Sequence, residues 1–179
     1  MPDNEALLAA LSAIQARGAI GVASLEQAVA HAEQFVTALP PFVRSVADLG
    51  SGGGLPGLVI AVRCPELLVT LVERRRSRAD LLSRMVRALS LSDRVTVLAD
   101  DVRRLAEEAP NSFDAVTARS FAAPAITARW AGALLRDGGV LVVSEPPDDP
   151  IDRWPAHALL AAGLVDLGRE QGVRKFVRV

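Results

Sequence analysis

Tyrosine is absent from this chain, and lysine and cysteine occur once each, as Lys175 and Cys64. A single thiol excludes an internal disulfide and any multi-cysteine metal site. The two histidines, His31 and His157, lie far apart with no cysteine beside them, which argues against a metal centre. A dominant charge is also missing. Twenty basic residues face 21 acidic ones, for a formal net charge of −1. No global field therefore draws the chain to nucleic acid, and any such contact must rest on a local patch. No apolar run is long enough to cross a bilayer. The start, Met1-Pro2-Asp3-Asn4-Glu5, lacks the basic leader of a secretory signal. The expectation is a soluble, cytoplasmic protein that makes no membrane contact. The preference for arginine, with no tyrosine and abundant alanine, has GC-rich coding as its plainest explanation.

What is present is enough for a core. Half of the 179 residues are hydrophobic, which excludes a disordered chain, and the length suits one domain with a small extension. Residues 5–17 and 24–39 read as helices. Leu7, Leu8, Leu11 and Ile14 recur at three- and four-residue steps, and Ser24 with Gln27 forms a candidate capping box. Pro40-Pro41 ends the second helix. This predicts a helical N-terminal extension over 1–41 and an α/β domain over 42–179. From residue 43 onward, strand candidates at 43–48, 68–73, 94–98, 113–118 and 139–144 alternate with helix candidates. Those helices fall at 56–63, 77–90, 101–108 and 122–136. The alternation predicts right-handed βαβ units and a doubly wound, mostly parallel sheet. A helix over 152–162 and a hairpin flanking Gly172 complete the chain.

The most informative segment is Asp48-Leu49-Gly50-Ser51-Gly52-Gly53-Gly54-Leu55-Pro56-Gly57. It links an apolar strand to an apolar helix, and its glycines let bare backbone N–H groups approach a ligand. Two patterns overlap here. Gly52, Gly54 and Gly57 fit the dinucleotide fingerprint. Gly50, Gly52 and Gly54, preceded by Asp48, fit the D-x-G-x-G-x-G turn of class I S-adenosylmethionine methyltransferases. Glu73, ending the second strand, suits ribose hydroxyls in either case. Asp48 discriminates, because a carboxylate ahead of the turn favours an ammonium group and repels a pyrophosphate. The cofactor-binding candidates are therefore Asp48, Gly50, Ser51, Gly52, Gly54 and Glu73. Asp101, after the third strand, is the candidate acceptor for an adenine amino group. Asp100 is its near rival, and helix capping is the competing role for either.

The runs DLGSGGGLPG, LVERRRSRADLL, FDAVTARSFAAP and LLRDGGVLVV together resemble the bacterial GidB (RsmG) family over about residues 43–145. That resemblance implies a class I methyltransferase fold of seven strands with the last antiparallel. It also implies S-adenosyl-L-methionine as cofactor and a guanine N7 of 16S rRNA, or of the small ribosomal subunit, as acceptor. Gly50 and Leu55 match family positions lining the methionine and adenosine. Val102 and Arg103 fall where the family has an adenine-contacting pair, usually Ala-Glu. Arg119 matches an arginine the family assigns to the cofactor, a role a bidentate guanidinium–carboxylate pair would serve. Three departures stand out. Arg17-Gly18-Ala19-Ile20-Gly21-Val22 replaces an Asn-Leu-Thr signature, Ser144-Glu145-Pro146-Pro147 replaces a Lys-Gly, and Val102-Arg103 replaces the Ala-Glu pair.

Guanine N7 carries an in-plane lone pair, so its methylation needs no general base, and no catalytic side chain is singled out. Catalysis would come from near-attack positioning. Arg74, Arg75, Arg76, Arg78, Arg84 and Arg87 could hold phosphates or form a solvated helix face. Phe121 could stack on a base or join the core. The expected protein is a monomeric methyltransferase. A small-molecule methyltransferase and a non-catalytic S-adenosylmethionine-binding module remain as alternatives, with an NAD-dependent oxidoreductase behind them.

Overall fold

The computed structural model describes residues 4–19, 21, 24–146 and 152–179. Residues 1–3 of the acidic start, Ile20 and Val22 of the first departure, and Pro147 of the second lie outside them.

Two helices, α1 (Asn4–Gln15) and α2 (Leu25–Ala38), come first. Ser24 caps α2, its Oγ accepting the Gln27 N–H at 3.3 Å. Five strands follow, β1 (Ser45–Leu49), β2 (Leu68–Val72), β3 (Val95–Leu98), β4 (Phe113–Ala118) and β5 (Leu135–Ser144). Between them run α3 (Gly57–Arg63), α4 (Arg76–Ala88), α5 (Val102–Glu108) and α6 (Pro124–Leu134). The chain closes with α7 (Ala156–Ala162), β6 (Leu164–Glu170) and β7 (Val173–Arg178). The seven strands form one sheet in the order β3-β2-β1-β4-β5-β7-β6. The first five neighbours pair in parallel, and β7 runs against both β5 and β6. This is the doubly wound, mostly parallel architecture expected from the alternating pattern.

Side chains of successive strand residues point to opposite faces, and the apolar runs feed two cores. On one face Val46, Val140 and Val142 pack with α1, α2, α3 and α4. On the other Ala47, Leu141 and Val143 pack with α5, α6, Trp154 and Phe176. Leu7, Leu11 and Ile14 of α1 and Phe35 of α2 are fully buried and share the cluster of α3.

The largest departures from the expected boundaries are at β5 and α7. The β5 strand begins at Leu135 because that residue pairs with Phe113, and this also cuts α6 short at Leu134. The α7 helix starts at Ala156 rather than at 152. Pro155 stands at its N-cap, while the Asp152 carboxylate turns the chain ahead of it by accepting the Trp154 N–H at 3.0 Å.

Gly132 gives the packing a test with a definite sign. It is buried in α6, where alanine would raise helix propensity by about 1 kcal/mol. A Cβ there would overlap the carbonyl oxygen of Ala162, which is backbone and cannot rotate away. Overpacking of about 1–3 kcal/mol should exceed the propensity gain. Gly132→Ala is therefore expected to lower the urea midpoint at unchanged m-value; a higher midpoint would show that α7 is free to shift.

Candidate cofactor cleft and its neighbouring cavity

From β1 the chain steps outward through β2 to β3, then crosses back to β4 on the other side of β1. Strand order reverses between β1 and β4, and a crevice opens there at the carboxyl ends of the strands. Three cavities follow this edge. One of about 420 Å³, towards β2 and β3, is lined by Gly50, Glu73, Asp101, Val102, Ser120 and Phe121 among others. A second of about 220 Å³ lies over the glycine turn and is bounded by Gly50, Ser51, Gly52, Leu55 and Arg119. A third of about 430 Å³ reaches from β4 to β5 and includes His31, Arg119, Phe121, Glu145, Arg153 and Trp154.

Backbone bonds hold the turn open. Ser51 N–H donates to Val72 O at 2.9 Å, and Ser51 Oγ donates to Asp48 O at 2.9 Å. The Glu73 carboxylate clamps the turn to the end of β2, accepting Gly52 N–H on Oε2 at 3.1 Å and Arg75 N–H on Oε1 at 2.7 Å. Gly50 has φ +67°, in the left-handed region, and a Cβ there would sit 2.8 Å from Phe121 Cδ2. Its lack of a side chain lets Phe121 close over the turn and form the partition between the first and third cavities.

Asp48 lies beneath the turn rather than in it. It is fully buried and lines none of the three cavities. Thr117 Oγ1 donates to its Oδ1 at 2.8 Å, while Oδ2 has no hydrogen-bond partner among the described residues. Burial pushes its carboxyl up to about 6; contacts with Thr117, Ser51 and the Gly57 N–H, and the charge of Arg119, hold the rise back. Arg119 Nη1 is likewise buried with no partner among the described residues. Burial lowers the Arg119 guanidinium from its ordinary value and Asp48 opposes that shift. Burial, then the charge of Arg119, depresses the His31 imidazole.

The remaining candidates divide. Asp101 is the N-cap of α5, its Oδ1 accepting Arg103 N–H at 2.9 Å, and it also lines the 420 Å³ cavity. Asp100 borders the same cavity and accepts Asp101 N–H at 2.7 Å. Val102 is at the cavity wall; Arg103 is not, its exposed side chain meeting Glu107 at 4.0 Å. Gly54 is buried against Leu58 and Leu82 under the turn. Arg74, Arg75 and Arg78 rim the first cavity, while Arg76, Arg84 and Arg87 are exposed along α4. The third cavity contains residues that sequence reasoning did not select. His31 carries no signal beyond its place on an amphipathic helix. Glu145 sits inside the departure after β5, which marked its position without assigning it work.

Residues 24–145 match the family model described as GidB, rRNA small subunit methyltransferase G. The chain belongs to the GidB family. A ribosomal RNA small subunit methyltransferase G from Stenotrophomonas maltophilia K279a is 40% identical over 123 residues, covering 66% of this chain and 57% of the relative. One from Synechococcus sp. WH7803 is 32% identical over 146 residues, covering 76% and 58%. This GidB chain thus spans little more than half the length of those relatives. Among solved structures, cofactor-bound Rv0187 from MTB superposes with TM-score 0.67 at 21% identity, over 98% of this chain and 90% of that one. The [4+2]-cyclase SpnF superposes with TM-score 0.64 at 26% identity, over 83% and 62%. These confirm a class I methyltransferase fold.

The buried Asp48 makes stability depend on pH. Its carboxyl is at about 6 in the folded chain against 3.8 when free. A raised carboxyl costs nothing below both values and its full penalty above the higher one. The penalty therefore grows as pH rises from about 4 to about 6, towards an upper bound of roughly 3 kcal/mol. In urea titrations at pH 4, 5, 6 and 8, Asp48→Asn should gain on the parent progressively with pH and level off above 6. A pH-independent difference would place the Asp48 carboxyl in its ordinary range.

Proposed function

We propose that this chain is an S-adenosyl-L-methionine-dependent methyltransferase that methylates a guanine N7 of 16S rRNA. The observation that carries the reading is the paired 420 and 220 Å³ space at the β1/β4 switch, with Glu73 on one side and Arg119 on the other. The donor, when bound, supplies an electrophilic methyl on a sulfonium. The chain's residues fit such a ligand. Glu73 has oxygen lone pairs beyond those given to Gly52 and Arg75, available to ribose hydroxyls. Arg119 Nη1, buried and unpartnered, suits the amino-acid carboxylate. Asp101 and Val102 serve the adenine end. Gly50, Ser51, Gly52 and Leu55 form the surface over which the methionine part lies, with Gly54 shaping the turn from below.

Asp48 acts from one layer further down. It favours the ligand's ammonium group through a short path of low-dielectric protein, not through direct contact in the cleft. A pyrophosphate would meet the opposite field, which disfavours NAD. The neighbouring 430 Å³ cavity, sharing Ser120 and Phe121 with the cofactor space, is the site for the acceptor. Phe121 at the partition suits stacking on a base. Exposed Arg76, Arg84 and Arg87 suit phosphates of the surrounding RNA, since no ion pair among the described residues engages them.

Calorimetry with S-adenosylhomocysteine and NADH tests the cofactor, and tritiated methyl transfer to 30S subunits, naked 16S rRNA and a metabolite pool tests the acceptor. S-adenosylhomocysteine should bind and NADH should not; the reverse would end the proposal. Binding of the methyl donor should weaken as pH falls below about 6, where Asp48 gains its proton. Asp48→Asn should flatten that dependence. Methyl transfer confined to the metabolite pool would retain the cofactor and replace the RNA by a small molecule.

A further inference from the structure

We infer that Glu145 is a specificity-determining residue that reads the N1–H and 2-amino edge of a purine in the 430 Å³ cavity. The inference rests on the methyltransferase reading above and assigns work to a wall of the acceptor space. Glu145 follows β5, and β5 borders β4 on the side away from β1. The cavity therefore has two ends. One is at Ser120 and Phe121, shared with the cofactor space; the other is at Ser144, Glu145, Arg153 and Trp154.

Glu145 is only 7% exposed, and a buried carboxylate needs donors. Two are supplied by the chain. Trp154 Nε1 donates to Oε1 at 2.5 Å, and Arg153 Nη2 reaches Oε2 at 3.4 Å. Trp154 is itself fixed by packing on Phe176, with ring centroids 4.7 Å apart. The carboxylate is thus held in one orientation, while two of its roughly four acceptor positions have no partner from these residues. Thr127 Oγ1, a hydroxyl on the same wall, donates to Ala122 O and Ala123 O at 3.3 Å each and has no proton left for a ligand.

Two aromatic residues, Phe121 and Trp154, line the space, which suits a planar ring. A ring whose methyl-accepting nitrogen faces the shared end turns its opposite edge towards Glu145. In guanine that edge carries two adjacent donors, N1–H and the 2-amino group, which match one carboxylate. In adenine the same edge presents the N1 lone pair, which repels it. Inosine keeps N1–H and loses the amino group, so the three bases form a graded series.

The test titrates guanosine, inosine and adenosine 5′-monophosphates into protein saturated with S-adenosylhomocysteine, followed by NMR line shifts. Guanosine monophosphate should bind at least about ten-fold tighter than inosine monophosphate, the lower end of what one hydrogen bond to a charged group contributes, and adenosine monophosphate more weakly still. Glu145→Gln keeps an acceptor for Trp154 but turns a donor towards N1–H, so it should erase the guanosine preference while S-adenosylhomocysteine binds as before. Glu145→Asp, which withdraws the carboxylate, should weaken guanosine monophosphate without inverting the order. Loss of S-adenosylhomocysteine binding in the parent protein would overturn the methyltransferase reading and this inference together. Intact cofactor binding with no discrimination among the three nucleotides, or discrimination that survives Glu145→Gln, would overturn this inference alone.

Discussion

The clamp between Glu73 and the β1–α3 turn is the contact on which the cleft depends. One carboxylate accepts two backbone N–H groups, from Gly52 and from Arg75, that would otherwise be left without partners at the ends of two parallel strands. With the Ser51–Val72 bond beside it, the clamp fixes the height of the turn above the sheet. Gly50 can then take its left-handed conformation and leave room for Phe121. The cavity over the turn and the cavity towards β3 share Gly50 and Ser120, so both take their shape from this one tie.

Asp48 shows the cost of building such a site into a core. A fully buried carboxylate with one unpartnered oxygen destabilises the fold near neutral pH. Arg119, also unpartnered at Nη1, is near enough to shift it but forms no ion pair with it among the described residues. A direct pair would relieve both charges and close the crevice. Their separation leaves Arg119 at the wall of two cavities and the Asp48 charge beneath the turn, both already in place.

Much of this was legible in the sequence for a simple reason. Strands of a parallel sheet are buried on both faces and read as apolar runs, so β1, β2, β3 and β4 could be located within a residue or two. The glycine turn was legible because four glycines in five positions have no other economical use. Glu73 could be placed because it ends the second strand. What the chain did not reveal is depth. Nothing distinguishes an Asp48 that faces the cleft from one that lies under it. The start of β5 depended on a pairing with Phe113 across the sheet, and the start of α7 on a local bond from Asp152; neither has a periodic signal. His31 entered the cleft region through the packing of α2, a tertiary event with no local trace.

The solved neighbours bear on how function is divided across this architecture. One of them, SpnF, is a [4+2]-cyclase, so the sheet and turn do not by themselves dictate group transfer. Where an acceptor already carries its lone pair, the protein has no proton to move, and rate comes from holding two reactants in line. On the proposed reading, the half of the cleft from β1 to β3 holds one of them, with the glycine turn and Glu73. On that reading the half from β4 to β5 holds the other, and the residues after β5 line it. In this chain that stretch is Ser144-Glu145-Pro146, where the resemblance led one to expect a lysine and a glycine. A carboxylate at the wall of that cavity presents acceptors and no donor to whatever enters it. The β1–β3 side keeps the glycine turn and the strand-end carboxylate of the resemblance, while Val102-Arg103 on that side and Ser144-Glu145-Pro146 on the other depart from it.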